Sequence, residues 1–515
     1  MKIRSLLVSS LFISLASFSI NPAYADKAND TLVVSFNKEI QTLDALYSTS
    51  RENIILNELT SDQLVSIDPV TKEYLPALAK SFKYLDSKSI EFTLRGDIKF
   101  HDGSAVTVDD IIYSVNWVAD NEAKTKRGSF IRRWLEEARK TGPNTLVIEA
   151  KKPYPLMLRD IAMFVLTRKN QTYHTNGNAN PNAQTESFIG TGPYKVMSFN
   201  SGSGVKLERF EHYYADSPKG KGQIKHMTIR SIPDWSTVIA EMMSNGVDWT
   251  YNVPDEIAEN LGRTPLVDRI EGPSTRIAYL TLDAAGVSTQ INGQDNPFTK
   301  LKVRQAMNHA INNKLMVDFL VKGTSRVISG PCFPGMFACS DSVTKYDYDP
   351  QKAKALLAEA GYPNGFEFDI WAYREKSITE AVAADLARIG IKANVKYVKL
   401  SAFSKARSAE EMIAYHGTWG YYGTLDIGAI SNHFVSGSNR NLNKDPKVEG
   451  LFKKALETVD ANERLVAYKE AQDIIADQAY WVPLYQYSVN YAASKEVDFE
   501  APVDGLPRLY NISWK

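Results

Sequence analysis

The spacing of apolar residues predicts strands and helices that alternate along the chain. Between residues 89 and 99, Ile90, Phe92 and Leu94 alternate with polar side chains, which is the period of a half-buried strand. Further on, apolar residues recur at the three- and four-residue intervals of an amphipathic helix, at Val303, Ala306, Met307, Ala310 and Ile311. Gly323 follows the expected end of that helix.

Residues that start and stop helices support the same interpretation. Thr107 followed by Asp110 has the spacing of a capping box, and Asp349-Pro350 places a capping residue before a first-turn proline. An alternating segment at 366–370 and a helical segment at 378–389 then follow, and Gly390 stops the second. Strands and helices mixed in this way predict an α/β fold.

The N-terminus has the organisation of a secretory signal peptide. Lys2 and Arg4 precede an apolar stretch at 5–20, and Ala23-Tyr24-Ala25 supplies the small residues of a cleavage site. Cleavage after Ala25 is expected, so that 1–25 are removed and the remainder enters the periplasm. No later apolar run is long enough to span a bilayer.

Composition narrows the function further. Lys+Arg and Asp+Glu both number 60, so no net charge draws the chain to nucleic acid or an anionic membrane. The 515 residues, 43% of them hydrophobic, are enough for about three folded domains. The only cysteines, Cys332 and Cys339, are expected to form a disulfide in an oxidising compartment.

Several short blocks in sequence order resemble one family, the peptide/opine/nickel class of extracellular solute-binding proteins of bacterial ABC importers. The first block is 78–110, which includes His101-Asp102-Gly103-Ser104. The others are Gly190-Thr191-Gly192-Pro193-Tyr194, Val303-Arg304-Gln305-Ala306, Tyr348-Asp349-Pro350, Ala360-Gly361-Tyr362-Pro363-Asn364-Gly365 and Val482-Pro483-Leu484-Tyr485. Each block alone is weak, but their ordered combination is specific.

The resemblance implies an α/β, two-lobed periplasmic binding protein, type II-like, with an extra subdomain on lobe I. By analogy, lobe I comprises 26–62, 193–273 and 484–515, the extra subdomain 63–192, and lobe II 274–483. A monomer is expected, with a small-molecule ligand and ABC permease subunits as partners. Ligand contacts with both lobes would stabilise the closed form that the permease recognises.

An aromatic and glycine-rich stretch at 415–426 is the strongest candidate for a ligand wall. It carries four aromatic residues and three glycines and shows neither helical spacing nor strict alternation, which predicts a loop. In the family this stretch resembles the cleft loop of lobe II, so Trp419, Tyr421 and Tyr422 are candidates for ligand contact. The alternative is that some of these rings belong to the core.

One departure from the family pattern bears on the ligand. Peptide-binding members commonly place an Asp three residues after that Trp, where it pairs with the peptide ammonium. Here the position holds Tyr422, and Asp426 lies four residues further on. Because a buried ammonium without a carboxylate is costly, we expect a small polar ligand, such as an opine or sugar conjugate. A di- or oligopeptide is the alternative, and a nickel chelate is less expected.

A carboxylate-bearing ligand would call for arginine, whose planar fork donates two parallel hydrogen bonds. Arg276, Arg374 and Arg51 are the candidates, and one of the three is expected to matter. Each alone could equally be a surface arginine. Of the seven histidines only His416 lies in the aromatic stretch, and no H-x-H or H-E-x-x-H pair predicts a metal.

The sequence lacks the motifs that would indicate a catalytic function. The chain lacks G-x-S-x-G, and Gly190-Thr191-Gly192 lacks the third glycine of a dinucleotide loop. We therefore expect a binding protein without catalytic residues, cofactor or metal. A secreted hydrolase and a periplasmic peptide chaperone are the competing classes, and turnover of a bound ligand would indicate the first.

Overall fold

The computed structural model describes residues 27–48, 50–175, 178–179, 188–288, 295–420 and 425–515. The predicted signal peptide lies outside them. None of the described helices has the length and apolar character needed to cross a bilayer.

The described strands, numbered β1 to β21, are Thr31–Phe36, Val65–Ile67, Tyr74–Pro76, Ala79–Tyr84, Ser89–Leu94, Leu135–Lys140, Thr145–Ala150, His174–Thr175, Asn178–Ala179, Tyr194–Asn200, Gly204–Arg209, His226–Ser231, Trp249–Tyr251, Val267–Leu282, Arg326–Val327, Glu367–Ala372, Lys392–Tyr397, Ala414–Gly420, Trp481–Ser494, Val497–Asp498 and Ser513–Trp514.

The described α-helices, numbered α1 to α13, are Arg51–Thr60, Val108–Ala119, Gly128–Arg132, Met157–Phe164, Trp235–Met243, Asp255–Gly262, Leu301–Ala310, Asn313–Met316, Pro350–Glu359, Lys376–Ala387, Leu400–Ser408, Pro446–Glu457 and Ala461–Asp477. Short 3-10 segments lie at Lys27–Asn29, Pro297–Thr299, Ile427–His433 and Leu509–Asn511, and a π-helical turn at Val317–Val321.

One sheet of eleven strands runs through the molecule. Its order is β10-β11-β12-β1-β13-β19-β14-β18-β16-β17, and β15 adds to β19. We use lobe I as the name of the half from β10 to β13 and lobe II as the name of the half from β18 to β17. The chain is therefore a two-lobed α/β protein, as the resemblance implied.

Two long antiparallel strands connect the lobes. The first part of β14 pairs with the end of β19 beside β13, and its second part pairs with the start of β19 and with β18. The ladder is interrupted between Pro273 and Ile277. Such an irregularity locally bends and twists a strand pair. The predicted lobe boundaries at 273–274 and 483–484 fall inside these two strands, and they stay predictions.

A third unit, here called the subdomain, has its own core. A four-stranded sheet, β4-β5-β7-β6, packs with α2 and α4 around buried residues such as Phe92, Ile111, Val115 and Ile148. Separate clusters fill lobe II, on both faces of the β14–β18 region, and lobe I. The subdomain core is therefore distinct from the clusters that fill the two lobes.

Local sequence signals are confirmed where they were clearest. Thr107 and Asp110 form a reciprocal capping box at the start of α2, and Asp349 caps α9 with Pro350 in its first turn. Ile90, Phe92 and Leu94 are buried in β5. These features depend only on neighbours in sequence, which explains why the pattern predicts them well.

Two local predictions are wrong. Helix α7 ends at Ala310, because Ile311 is extended and Asn312 caps a new short helix, so Gly323 follows a different element. The stretch 414–420 is strand β18, where a loop was expected. Since β18 lies between β14 and β16 and is mostly buried, no polar alternation marks it. Its Gly417 lies beneath the Tyr279 ring, where an added Cβ would approach a ring carbon to 2.6 Å.

The block Gly190-Thr191-Gly192 has a structural role beside α1. A Cβ on Gly192 would lie 2.5 Å from the Leu59 carbonyl oxygen, so only glycine allows this close approach. The Gly190 N–H donates to Nδ1 of His101 at 3.3 Å, and Nε2 of His101 lies 2.9 Å from the Gly192 carbonyl oxygen. His101 therefore joins two family blocks as a neutral ring, and burial lowers its pKa to about 4.

The predicted disulfide between Cys332 and Cys339 is present. It closes a turn whose Phe337 N–H donates to the Leu425 carbonyl at 2.7 Å. Gln472 of α13 holds the same turn, because its amide donates to the Ala338 carbonyl at 2.7 Å. The disulfide-closed turn therefore holds the segment that leads into the 3-10 turn at Ile427–His433.

Replacing both Cys332 and Cys339 with serine is expected to lower the free energy of unfolding by about 2–3 kcal/mol, because the unfolded chain regains the entropy of a short loop. Urea denaturation of the oxidised protein and the double variant measures the difference. Reduction of the native protein should reproduce the loss, and the same treatment should leave the double variant unchanged. Equal stability of the variant and the oxidised protein would contradict the prediction.

Candidate functional site: an arginine-rich cleft

A cavity of about 580 Å³ lies between the subdomain and lobe II. Its volume falls in the range of small-molecule binding sites. The described lining residues are Arg127, Phe130, Arg133, Leu156, Arg159, Met163, Phe164, Arg276, Tyr373, Leu400, Ser404, Arg407, Thr418, Trp419, Gly420, Gly428, Ala429, Ser431, Asn432, Arg440 and Leu456.

The subdomain wall is built from α3 and α4. Leu156, Arg159 and Met163 recur at helical spacing and so place one face of α4 on the cavity. Phe130 of α3 stacks on Phe164, with ring centroids 4.9 Å apart. This wall therefore combines a flat aromatic surface with guanidinium groups.

The lobe II wall comes from several segments that are separate in sequence. Leu400, Ser404 and Arg407 lie on one face of α11, at intervals of four and three residues. The end of β18 contributes Trp419, beside Arg276 of β14, which pairs in register with Gly420. The 3-10 turn and the residues up to 456 complete the wall. The strand end and the turn thus meet at one corner of the cavity.

Trp419 rests on a buried aromatic group. The His433 ring meets it edge-on at 5.0 Å, and His433 Nε2 lies 2.8 Å from the Tyr279 hydroxyl. Tyr279 in turn stacks on Trp481 at 3.7 Å. Arg440 covers Trp419, with its guanidinium carbon 5.4 Å from the ring centroid. The indole is therefore held between a packed core and a cation, an arrangement suited to a rigid ligand wall.

Thr418 organises a polar corner beside Trp419. The Arg276 guanidinium donates to its hydroxyl at 2.8 Å, and the Tyr373 hydroxyl lies 3.3 Å from the same oxygen. Arg374 stacks on the Tyr373 ring at 5.3 Å. The contacts with the Thr418 hydroxyl therefore hold Arg276 and Tyr373, from neighbouring segments, at the cavity wall.

The lining is strongly basic. Six of its members are arginines, three from the subdomain and three from lobe II, and no Asp or Glu lines the described walls. Arg159 is neutralised by the fully buried Asp160, to which its Nε donates at 2.8 Å. Arg407 and Arg440 form no ion pair with any described residue, and the buried Nε of Arg407 has no described hydrogen-bond partner. Burial and the neighbouring Arg440 lower the pKa of Arg407.

Of the predicted ligand residues, the structure brings Arg276 and Trp419 together on the cavity. Tyr421 and Tyr422 lie outside the described residues. The ligand roles of all these residues stay predictions.

The other predicted residues lie outside the described lining. Asp426 caps the 3-10 turn and is paired with Arg464 at 2.6 Å. His416 is buried in β18, where Nδ1 lies 2.8 Å from the Thr379 hydroxyl and burial lowers its pKa to about 4. Arg374 follows the lining residue Tyr373 in sequence and stacks on its ring. Arg51 is the first residue of α1. Among the described residues, no three His, Cys, Asp or Glu side chains converge as a metal site.

Comparison with known proteins agrees with this architecture. The family model of bacterial extracellular solute-binding proteins, family 5 Middle, matches residues 73–441. Heme-binding protein A of Haemophilus influenzae is 27% identical over 468 residues, which cover 84% of this chain and 82% of that protein. The dipeptide-binding protein of Escherichia coli is 26% identical over 498 residues, or 90% of this chain and 89% of that protein.

Among solved structures, HbpA2 from Haemophilus parasuis superposes with a TM-score of 0.81 at 24% identity, covering 94% of this chain and all of that one. This likeness concerns the fold. Other matches are a glutathione-binding protein, a structure in complex with agropinic acid and a structure in complex with Ni(L-His), so the matches share an architecture and differ in ligand. The chain belongs to the family 5 bacterial extracellular solute-binding proteins of ABC importers.

Proposed function

We propose that this chain is the periplasmic solute-binding component of an ABC importer. It captures a small polar ligand with carboxylate character, such as an opine or a sugar conjugate, in the cleft between the subdomain and lobe II and delivers it to the permease. The single observation that carries the ligand class is the wall of arginines around Trp419, with no acidic side chain in the described lining.

The same wall argues against an ordinary peptide. A peptide's ammonium needs a carboxylate partner when it is removed from water. Asp426, the nearest acid to the family position, is already paired with Arg464 and accepts the Gly428 N–H at 2.8 Å. If Asp426 bound a ligand ammonium, it would have to give up its existing buried ion pair with Arg464.

The closure mechanism follows from the two long strands. Since β14 and β19 cross between the lobes and their ladder is interrupted at 273–277, bending there brings the two halves of the sheet together. A ligand that touches both walls stabilises the closed form by its additional contacts there. Trp419 would supply a flat surface on one side, and the Phe130–Phe164 pair would supply one on the other.

The test is a thermal-shift screen of ligand-stripped protein against opines, sugar-acid conjugates and dipeptides, combined with small-angle X-ray scattering. An opine or sugar acid at 100 times its Kd should stabilise the fold by about 2.7 kcal/mol and reduce the radius of gyration. Trp419→Ala should weaken that binding at least tenfold, whereas Trp235→Ala, on a lobe I helix outside the cavity, should not.

The outcomes separate the two parts of the proposal. Binding of dipeptides alone would overturn the ligand class and leave the carrier role standing. A protein that binds none of the compounds and never closes would contradict the carrier role itself. Chemical conversion of a bound ligand would indicate an enzyme.

A further inference from the structure

The 3-10 turn at Ile427–His433 forms part of the cavity wall although it belongs to no strand. Its cavity-lining members are Gly428, Ala429, Ser431 and Asn432. His433, at its end, packs edge-on against Trp419, with ring centroids 5.0 Å apart. A 3-10 segment has poorer internal hydrogen bonds than an α-helix. Neighbouring segments must therefore hold this part of the wall in place.

Asp426, the residue before the turn, holds its start. One carboxylate oxygen accepts the Gly428 N–H at 2.8 Å, and the other accepts from the Arg464 guanidinium at 2.6 Å. The side chains of Asp426 and Arg464 are only 12% and 10% exposed, so dissolved salt screens this pair little. Arg464 also donates to the Ala455 carbonyl at 3.1 Å. The carboxylate thus ties the turn to helices α12 and α13.

The turn closed by the disulfide grips the same residue through the backbone. Phe337, inside that turn, pairs with Asp426 as an isolated parallel bridge. The Phe337 N–H donates to the Leu425 carbonyl at 2.7 Å, and the Ile427 N–H donates to the Phe337 carbonyl at 3.3 Å. Arg464 lies over the Phe337 ring, with its guanidinium carbon 4.9 Å from the centroid. Asp426 is therefore held on both its backbone and its side chain.

Phe337 is a fixed support because its own turn is fixed. The disulfide closes that turn, and Gln472 of α13 bonds it on the far side of Phe337. The Gln472 amide donates to the Ala338 carbonyl at 2.7 Å and accepts the Ser340 N–H at 3.0 Å. None of the residues in this support belongs to the described cavity lining. Their effect on the cavity is therefore transmitted through the 3-10 turn.

Resting on the proposed function, we infer that Asp426, Arg464 and the disulfide between Cys332 and Cys339 position the ligand wall. They hold the 3-10 turn against the cavity before a ligand arrives. Binding then costs less free energy, because the turn is ordered on folding and not on association. Asp426 is thus a positioning residue behind the wall, which differs from the direct ligand contact expected from the sequence.

The first measurement is hydrogen exchange of the ligand-free protein over residues 425–433, followed by mass spectrometry. The variants are Cys332→Ser/Cys339→Ser and Asp426→Asn, which keeps the size of the side chain and removes its charge. In both, the amides of this segment should exchange about tenfold faster or more, because local opening becomes easier. Thr107→Ala removes the capping box of α2 in the subdomain and should leave this segment unchanged, so it controls for general destabilisation.

The second measurement is calorimetric, with octopine as an opine and D-glucuronate as a sugar acid. For each compound that binds the native protein, the Kd should rise about threefold or more in the two wall variants, because the ligand must then order the turn itself. The Kd should stay unchanged in Thr107→Ala. Thermal melts show that each variant is folded at the assay temperature, and if one wall variant fails to fold, the other provides the comparison.

Two results would overturn the inference. One is unchanged exchange of residues 425–433 in both wall variants, whatever the compounds do. The other is faster exchange with an unchanged Kd, which would show that the position of the turn does not matter for binding. If neither compound binds the native protein, the proposed ligand class fails, and faster exchange in the wall variants still supports the positioning of the turn.

Discussion

Replacement of Arg168 by methionine is expected to lower the free energy of unfolding by about 3–5 kcal/mol. Arg168 is fully buried where the subdomain meets lobe I. Its guanidinium donates to Asp44 at 2.9 Å, to Ser61 at 3.0 Å and to Asn57 at 3.2 Å. Burial alone lowers the pKa of Arg168, but the Asp44 carboxylate raises it above its ordinary value, so the guanidinium stays charged.

The cost arises mainly from what the substitution leaves behind. Without Arg168, the carboxylate of Asp44, 1% exposed, would remain in the interior with no cation. Urea denaturation measures the loss. Lys140→Met, which breaks an exposed pair with Asp109, is the control and should change stability by less than about 0.5 kcal/mol. The double variant Asp44→Asn/Arg168→Met should recover part of the loss, and a loss below about 1 kcal/mol in Arg168→Met would refute the prediction.

Acidification from pH 6.5 to 4 is expected to destabilise the protein through its buried histidines. Burial lowers the pKa of both His101 and His416 to about 4, and burial lowers that of His433 well below its ordinary value. In this range the unfolded histidines bind protons that the folded ones exclude, so stability rises with pH and is lost as pH falls. Each fully buried histidine contributes a slope of up to about 1.4 kcal/mol per pH unit.

His416→Gln tests this assignment, because glutamine keeps a polar group near the Thr379 hydroxyl and does not titrate. Denaturation midpoints between pH 4 and 7 should show a shallower slope for this variant than for the native protein. His212→Gln, at an exposed position, should leave the slope unchanged. Burial raises the pKa of Asp248 to about 7, and this group acts with the opposite sign, so the comparison between variants is the decisive measurement. Identical slopes for His416→Gln and the native protein would refute the assignment.

Elements defined by neighbours in sequence could be predicted. The capping box of α2 and the Asp349-Pro350 start of α9 depend on residues three positions apart or fewer. The alternation of apolar and polar residues in β5 indicates a strand with one buried face and one more exposed face. Strand β18 could not be predicted this way. It lies inside the sheet, and its Gly417 is required by the ring of Tyr279, a residue far away in sequence.

Only part of the cavity lining could be predicted, from the family resemblance for Trp419 and from the expected carboxylate ligand for Arg276. Trp419 and Arg276 were predicted and line the cavity, whereas Arg127, Arg407 and Arg440 were missed. The helical spacing of Leu400, Ser404 and Arg407 indicates that they share one face of a helix. An arginine on a helix face is, however, ordinarily exposed to solvent. Only the packing of α11 opposite α3 and α4 shows that this face meets a cleft, and that packing is set by contacts distant in sequence.

The position of β19 in the sheet also determines when the protein can fold. Residues 481–494 supply buried side chains to four of the five described cores, and only the subdomain core lacks them. A nascent chain that ends before residue 481 lacks the strand between β13 and β14, so neither lobe can complete its core during synthesis. The subdomain alone can form early, and both lobes must wait for the C-terminal end of the chain.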